Sequence, residues 1–170
     1  MREEIQQKVF KDWLNSYRSL LFKVVRAYAD SADDQDDLFQ EISIQVWRSI
    51  PNFREQSAVS TWLYRIAINT SLNSKRKEKR HYEGRHGIDD IPHLLQANTA
   101  YQDDRLDWLY EEISVLKPID KSLALLLLDD YSYKEMAAIL GLSESNVGVR
   151  INRIKKHLIA RSENIKTHGN

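Results

Sequence analysis

Apolar residues recur every three or four positions from Ile5 through Val9, Phe10, Trp13, Leu14, Tyr17, Leu20, Leu21, Val24 and Val25 to Tyr28. That period predicts one long helix with a broad buried face, ending near Ala29–Ala32. A second stripe, Leu38, Phe39, Ile42, Val46 and Ile50, fits within a third of a helical circumference, and Pro51 stops it. Asp37, Gln40, Glu41, Ile44 and Arg48 gather on the far side. After the polar loop Asn52–Ser57, the pattern from Ser60 puts Trp62, Leu63, Ile66, Ala67 and Thr70 on one side. Arg65, Asn69, Asn73 and Arg76 form a polar stripe on the opposite flank.

From His81 to about Asp103 the periodicity fails, and Gly84, Gly87 and Pro92 sit among polar residues, which predicts an extended, mobile linker. Beyond it, Leu106, Leu109, Ile113 and Leu116 predict a short amphipathic helix ended by Pro118, and Ile119–Leu128 a near-continuous apolar helix. Ser132-Tyr133-Lys134-Glu135 has the form of a capping box opening the helix Met136–Leu140. Gly141 supplies the left-handed residue that stops it, and Ser143 caps a final helix to roughly Arg161. A short helix, a Gly-containing turn and a longer helix is the helix-turn-helix layout. The chain is therefore expected to be all-α: two small helical domains, 1–83 and 105–165, joined by a flexible linker, 84–104.

Charge adds what periodicity cannot. The chain has 25 basic and 25 acidic residues, so the total says nothing about partners. The distribution does: acid collects in 30–41 and 103–112, base in 75–80 and 150–161. Asp33, Asp34, Asp36 and Asp37 suit the N-cap and first turn of the helix that follows, where negative charge is favoured. An EF-hand reading of Asp30–Glu41 fails because Ala32 and Gln35 stand where an oxygen ligand and a glycine are required. His81, His86 and His93 fit no tetrahedral metal spacing. With no cysteine there is no disulfide framework, thiolate site or Cys nucleophile. No catalytic constellation, metal, cofactor or small-molecule substrate is expected, and the chain reads as a non-enzymatic, cytoplasmic protein.

Three surfaces carry chemistry instead. On the second helix, Ile44 at the centre of a charged face is either a lone exposed apolar residue or the anchor of a docking face. The loop residues Asn52, Arg54, Gln56 and Ser57, beside Arg65, Asn69, Asn73 and Arg76, suit phosphates and base edges. Lys75–Arg80 holds five cations in six residues, more than a helix dipole needs, and points to a polyanion. On the final helix, Val147, Ile151, Ile154 and Leu158 face inward, leaving Ser145, Asn146, Val149, Arg150, Asn152, Arg153 and Lys156 outward. Small polar residues near its start suit base edges, and the cations further along suit phosphate.

These residues carry a family resemblance. Asp36-Asp37-Leu38-Phe39-Gln40-Glu41, Val46-Trp47-Arg48, Phe53 and Trp62-Leu63-Tyr64-Arg65-Ile66-Ala67 with Asn69 resemble region 2 of a bacterial sigma factor. Ser132–Ala137 and Leu142–Arg153 resemble its region 4. With these two regions alone, the chain is similar to the extracytoplasmic-function group. The resemblance implies that the first domain is the region 2 bundle and the second the region 4 helix-turn-helix.

The resemblance further implies that Asp37, Gln40, Glu41, Ile44 and Arg48 dock on the clamp helices of the largest RNA polymerase subunit, with the second-largest subunit also a partner. Asn52, Arg54, Ser57, Trp62, Arg65, Asn69, Lys75, Arg76 and Arg80 would meet the −10 element, where a base leaves the stack. For Trp62, its angular position with Leu63 and Ile66 equally allows a core role. Ser145, Asn146, Val149, Arg150, Asn152, Arg153 and Lys156 would meet the −35 element of promoter DNA. An anti-sigma factor is a further implied partner.

Two positions depart from the family pattern: Asn73 stands where many relatives have an acid, and Gly148 where many have Lys or Arg. Gly148 costs about 1 kcal/mol in mid-helix, and close backbone approach to DNA would explain it. A stand-alone helix-turn-helix regulator is the alternative, but it gives no reason for the paired acidic and Trp-led helices of the first half.

Overall fold

The structure is a computed structural model that describes residues 2–78 and 103–168, with side chains described for 2–74 and 103–164. The expected linker, 84–104, falls almost wholly outside these residues. The described residues form eight α-helices and no strand. The chain divides into two compact units, with the boundary between Asp107 and Trp108.

The first unit opens with α1 (Glu3–Ser16) and α2 (Arg18–Tyr28), where periodicity predicted one long helix. Tyr17 is the break, at φ −112° and ψ 19°. Asn15, Ser16 and Tyr17 are weak helix formers, and tertiary packing decides the outcome: α1 packs on α3 and the turn after it, while α2 packs on α3 and α4. Two directions of burial require two helices. Gln6 Nε2 donates to the Trp47 carbonyl at 2.8 Å and Phe10 meets Trp47 edge-on at 5.4 Å, which fixes α1 across α3.

Helix α3 (Ala32–Ser49) is capped by Ser31, whose Oγ accepts the Asp34 N–H at 3.1 Å. The cap is thus a serine upstream of the acidic run rather than one of its carboxylates, with Asp33 and Asp34 in the first turn. A hydroxyl both accepts from the backbone and donates, here to Asp34 Oδ2 at 2.7 Å, which a carboxylate cannot do. The expected stripe of Leu38, Phe39, Ile42, Val46 and Ile50 is buried throughout. A 3-10 turn, Ile50–Asn52, holds Pro51 and ends the run.

Helix α4 (Val59–Glu78) packs against both α2 and α3, so it buries a wide arc: Leu63, Tyr64, Ala67, Ile68, Thr70 and Ser71. This arc is rotated from the expected one, leaving Trp62 and Ile66 at its margin, half-buried. The difference is worth having in energy terms: fully burying an aliphatic or aromatic side chain contributes about 1.5–3 kcal/mol, and Tyr64 and Ile68 are both fully enclosed. Ser43 and Ser71 sit in this core with their hydroxyls spent on the carbonyls one turn back, at 2.8 Å each.

Helix α5 (Asp104–Ser114) begins before the boundary between the units, with Leu106 exposed, and in the second unit it buries Tyr110, Glu112 and Ile113. Pro118 does not end this helix but occupies the first turn of α6 (Pro118–Leu128), where its missing N–H costs nothing. Helix α6 closes with Asp130 at φ 59°, its N–H on Leu127 O and that of Tyr131 on Leu126 O. This is a glycine's task done by an aspartate. Helix α7 (Tyr133–Leu140) begins with the expected capping box and ends at Gly141, φ 67° and ψ 36°. Helix α8 (Glu144–His168) starts at Ser143, whose Oγ accepts the Asn146 N–H at 3.2 Å. Met136, Ile139, Val147, Ile151 and Ile154 close the core between α6, α7 and α8.

The capping box has a titratable half. The Glu135 carboxylate accepts the Ser132 N–H at 2.7 Å and the Ser132 hydroxyl accepts the Glu135 N–H at 3.2 Å. Bonding to the Ser132 backbone, then to its side chain, holds the Glu135 carboxyl below its ordinary value of 4.5. A depressed carboxyl stabilises the fold above its unfolded pKa, and that contribution is lost as pH falls through the folded one. An NMR titration should therefore place Glu135 below an unstructured glutamate, and Ser132→Ala, which removes the hydroxyl but keeps the backbone N–H, should move it only part of the way back up. An unshifted Glu135 in the parent protein would refute the capping geometry.

Candidate nucleic-acid interface

Helix α3 turns its back to the core and presents the expected polar face: Asp37 and Arg48 are exposed, and Gln40, Glu41 and Ile44 are half-buried. Ile44 is therefore partly seated rather than fully exposed, a small apolar spot ringed by charge.

The loop after the 3-10 turn is pinned from inside. Phe53 meets Trp13 edge-on at 5.1 Å and Trp62 at 5.4 Å, and Trp62 Nε1 donates to Ser49 Oγ at 3.3 Å. Those contacts hold the loop between α1 and α4 while Asn52, Arg54 and Gln56 stay exposed and Ser57 half-buried. Glu55 takes φ 56°, a left-handed conformation uncommon for a residue with a Cβ.

On α4, Trp62, Arg65, Asn69 and Asn73 follow i, i+3, i+7 and i+11, which places them along one side, away from the buried arc. Trp62 thus heads the polar stripe instead of opposing it. The ring still packs on Phe53, so it combines a structural contact with a place on the outer side. Arg65 is half-buried with its Nε unpaired, and Asn69 and Asn73 are exposed. The side chains of Lys75 and Arg76, and all of Arg80, lie outside the described residues.

In the second unit the structure adds two acids that periodicity could not single out. Asp120, 8% exposed in the first turn of α6, receives Arg150 Nη1 at 2.8 Å and Arg153 Nη2 at 3.3 Å, both from α8. Arg150 also donates through Nε to Asn146 Oδ1 at 3.1 Å. Glu112 of α5 is equally buried, and its two oxygens take Arg161 Nε at 3.0 and 3.2 Å, with His157 Nε2 3.4 Å away. Of the seven residues expected to face DNA, Ser145, Asn146, Val149, Asn152, Arg153 and Lys156 are exposed, whereas Arg150 is partly covered and bound to Asp120. Gly148 lies beneath the Tyr133 ring, which a Cβ would meet at 3.6 Å, an ordinary contact.

Two helical units, the second a capped helix-turn-helix, arrange these faces, and both halves match known families. Residues 13–81 match Sigma-70 region 2 and residues 106–158 match Sigma-70 region 4. The ECF RNA polymerase sigma-E factor of Escherichia coli (strain K12) is 30% identical over 165 aligned residues, covering 88% of this chain and 84% of that protein. The chain belongs to the ECF group of sigma-70 factors. As such it binds core RNA polymerase and directs promoter-specific transcription initiation. The RNA polymerase sigma-H factor of Pseudomonas aeruginosa is 28% identical, with 82% of this chain and 79% of that one covered. The fold is shared with the sigma factor RpoE from Bartonella quintana, solved with the anti-sigma factor NepR: TM-score 0.66, 21% identity, 89% of this chain and 94% of that chain.

The ion pairs of the sigma factor's α8 separate structural arginines from free cations. Arg150→Ala leaves the buried Asp120 with one weaker partner and should destabilise α8 by about 1–3 kcal/mol. Lys156→Ala, at an exposed position, should change stability by less than about 0.5 kcal/mol. Native-state hydrogen exchange at the Ile151 and Ile154 amides measures both, and equal protection in the two variants would contradict the assignment.

Proposed function

We propose that the two units divide the work of an initiation factor, residues 1–83 engaging core polymerase and the −10 element and residues 105–165 the −35 element. The α3 face of Asp37, Gln40, Glu41, Ile44 and Arg48 docks on the clamp helices of the largest polymerase subunit. Ile44 is the anchor and the surrounding charges set register. The pinned loop with Asn52, Arg54 and Ser57, and the α4 stripe with Trp62, Arg65 and Asn69, receive the −10 strand. Lys75, Arg76 and Arg80 follow its phosphates. Extruding a base costs a few kcal/mol, and a loop already fixed by Phe53 adds no ordering cost of its own. Helix α8 enters the major groove at the −35 element.

The observation that carries this reading is the helix-turn-helix itself, whose recognition helix begins at a capped serine and keeps one face uncovered. The protein performs no chemistry of its own and acts in the cytoplasm; among the described residues no helix is long and apolar enough to cross a membrane. The NepR-bound state of the Bartonella quintana protein supports a further partner here, an anti-sigma factor covering the same faces.

Transcription by core polymerase with this protein, on a pool of genomic promoter fragments, should give discrete new start sites. Ile44→Asp should lower that activity at least tenfold with DNA contacts intact. Lys156→Ala should weaken promoter binding and reduce its salt slope by about one. DNA binding without any core-dependent initiation would overturn the assignment in favour of a stand-alone regulator. For the anti-sigma factor, affinity capture from the source cell before induction should recover a stoichiometric non-polymerase protein; recovery of polymerase subunits alone, induced or not, would dismiss it.

A further inference from the structure

Helix α8 presents two different surfaces to anything that lies along it. Asn146, Arg150 and Arg153 occupy one flank and are joined by hydrogen bonds and ion pairs that end on Asp120. Ser145, Val149, Asn152 and Lys156 form the crest, at i, i+4, i+7 and i+11, stacked one above another. The crest lies opposite Val147, Ile151 and Ile154, the buried side, and all four of its members are exposed. Its centre is apolar: Val149 is 68% exposed.

A single exposed valine is ordinary on a protein surface. This one sits in mid-crest between a hydroxyl and a carboxamide, with Lys155 and Lys156 exposed just beyond to meet phosphate. In the major groove each base presents hydrogen-bonding groups, and thymine alone adds a methyl at C5. A branched aliphatic side chain finds its apolar partner there in the thymine methyl.

We propose that Val149 is a specificity-determining residue that reads the C5 methyl of one thymine in the −35 element. Ser145 and Asn152 on either side reach the neighbouring base edges. Arg150, held by Asp120, is withdrawn from base reading and stiffens the flank of the helix. The proposal deepens the −35 assignment made above and rests on it.

The test uses holoenzyme and the promoters found by start-site mapping. In the −35 element of one such promoter, each thymine on either strand is replaced singly by deoxyuridine, which removes the methyl and keeps every hydrogen bond. Competition binding should show one position losing about fourfold, the worth of one buried methyl, and the others unchanged. With Val149→Ala, thymine and deoxyuridine at that position should bind equally. A flat scan, a methyl effect that survives Val149→Ala, or a −35 element without an A·T pair overturns the proposal. Scrambling the whole −35 element in the same assay separates the two levels. If scrambling has no effect, the −35 assignment itself fails and the proposal falls with it. If scrambling abolishes binding but the deoxyuridine scan is flat, Val149 alone has been misassigned.

Discussion

A helix with one face left uncovered can be held only from behind, and that constraint shapes both units. Helix α3 keeps its charged side open because α1, α2 and α4 take hold of Leu38, Phe39, Ile42 and Val46. Helix α8 keeps its crest open because α6 and α7 enclose Val147, Ile151 and Ile154. Small units bury limited area, and this chain has no disulfide to help. Their remaining rigidity comes from polar devices at the edges: Ser31 beneath α3, the Ser132–Glu135 box, Ser143, and the two acids that hold the arginines of α8.

How far the sequence disclosed this depends on the range of the interaction. Caps and turns depend on residues within four positions, so Ser132, Glu135, Gly141 and Ser143 were readable as written. The buried stripe of α3 was equally plain, because one neighbouring core decides it. Helix α4 was harder: it is gripped on two sides, so its buried arc widened past the pattern and carried Trp62 to the outer side. The break at Tyr17 has no proline or glycine to announce it, and only the diverging partners of α1 and α2 explain it.

The least accessible features were pairings across long separations. Asp120 carried no signal of its own inside the apolar run Ile119–Leu128, and Arg150 read as a phosphate ligand. Their contact spans thirty positions of sequence, and no local period records it. Glu112 and Arg161 are a second instance, forty-nine positions apart. Leu106 erred in the other direction: its spacing matched Ile113, yet α5 turns Tyr110 inward instead.

The same pairings alter how the protein meets DNA in bulk. Three of the five cations between residues 150 and 161 are already engaged internally by two carboxylates, Arg150 and Arg153 by Asp120 and Arg161 by Glu112, so five positive charges face two negative ones. Sequence-independent affinity grows with the number of condensed counterions a protein releases from the duplex, and a cation that keeps its internal partner releases none. A helix that looks strongly basic on paper therefore holds fewer unengaged cations than its sequence suggests.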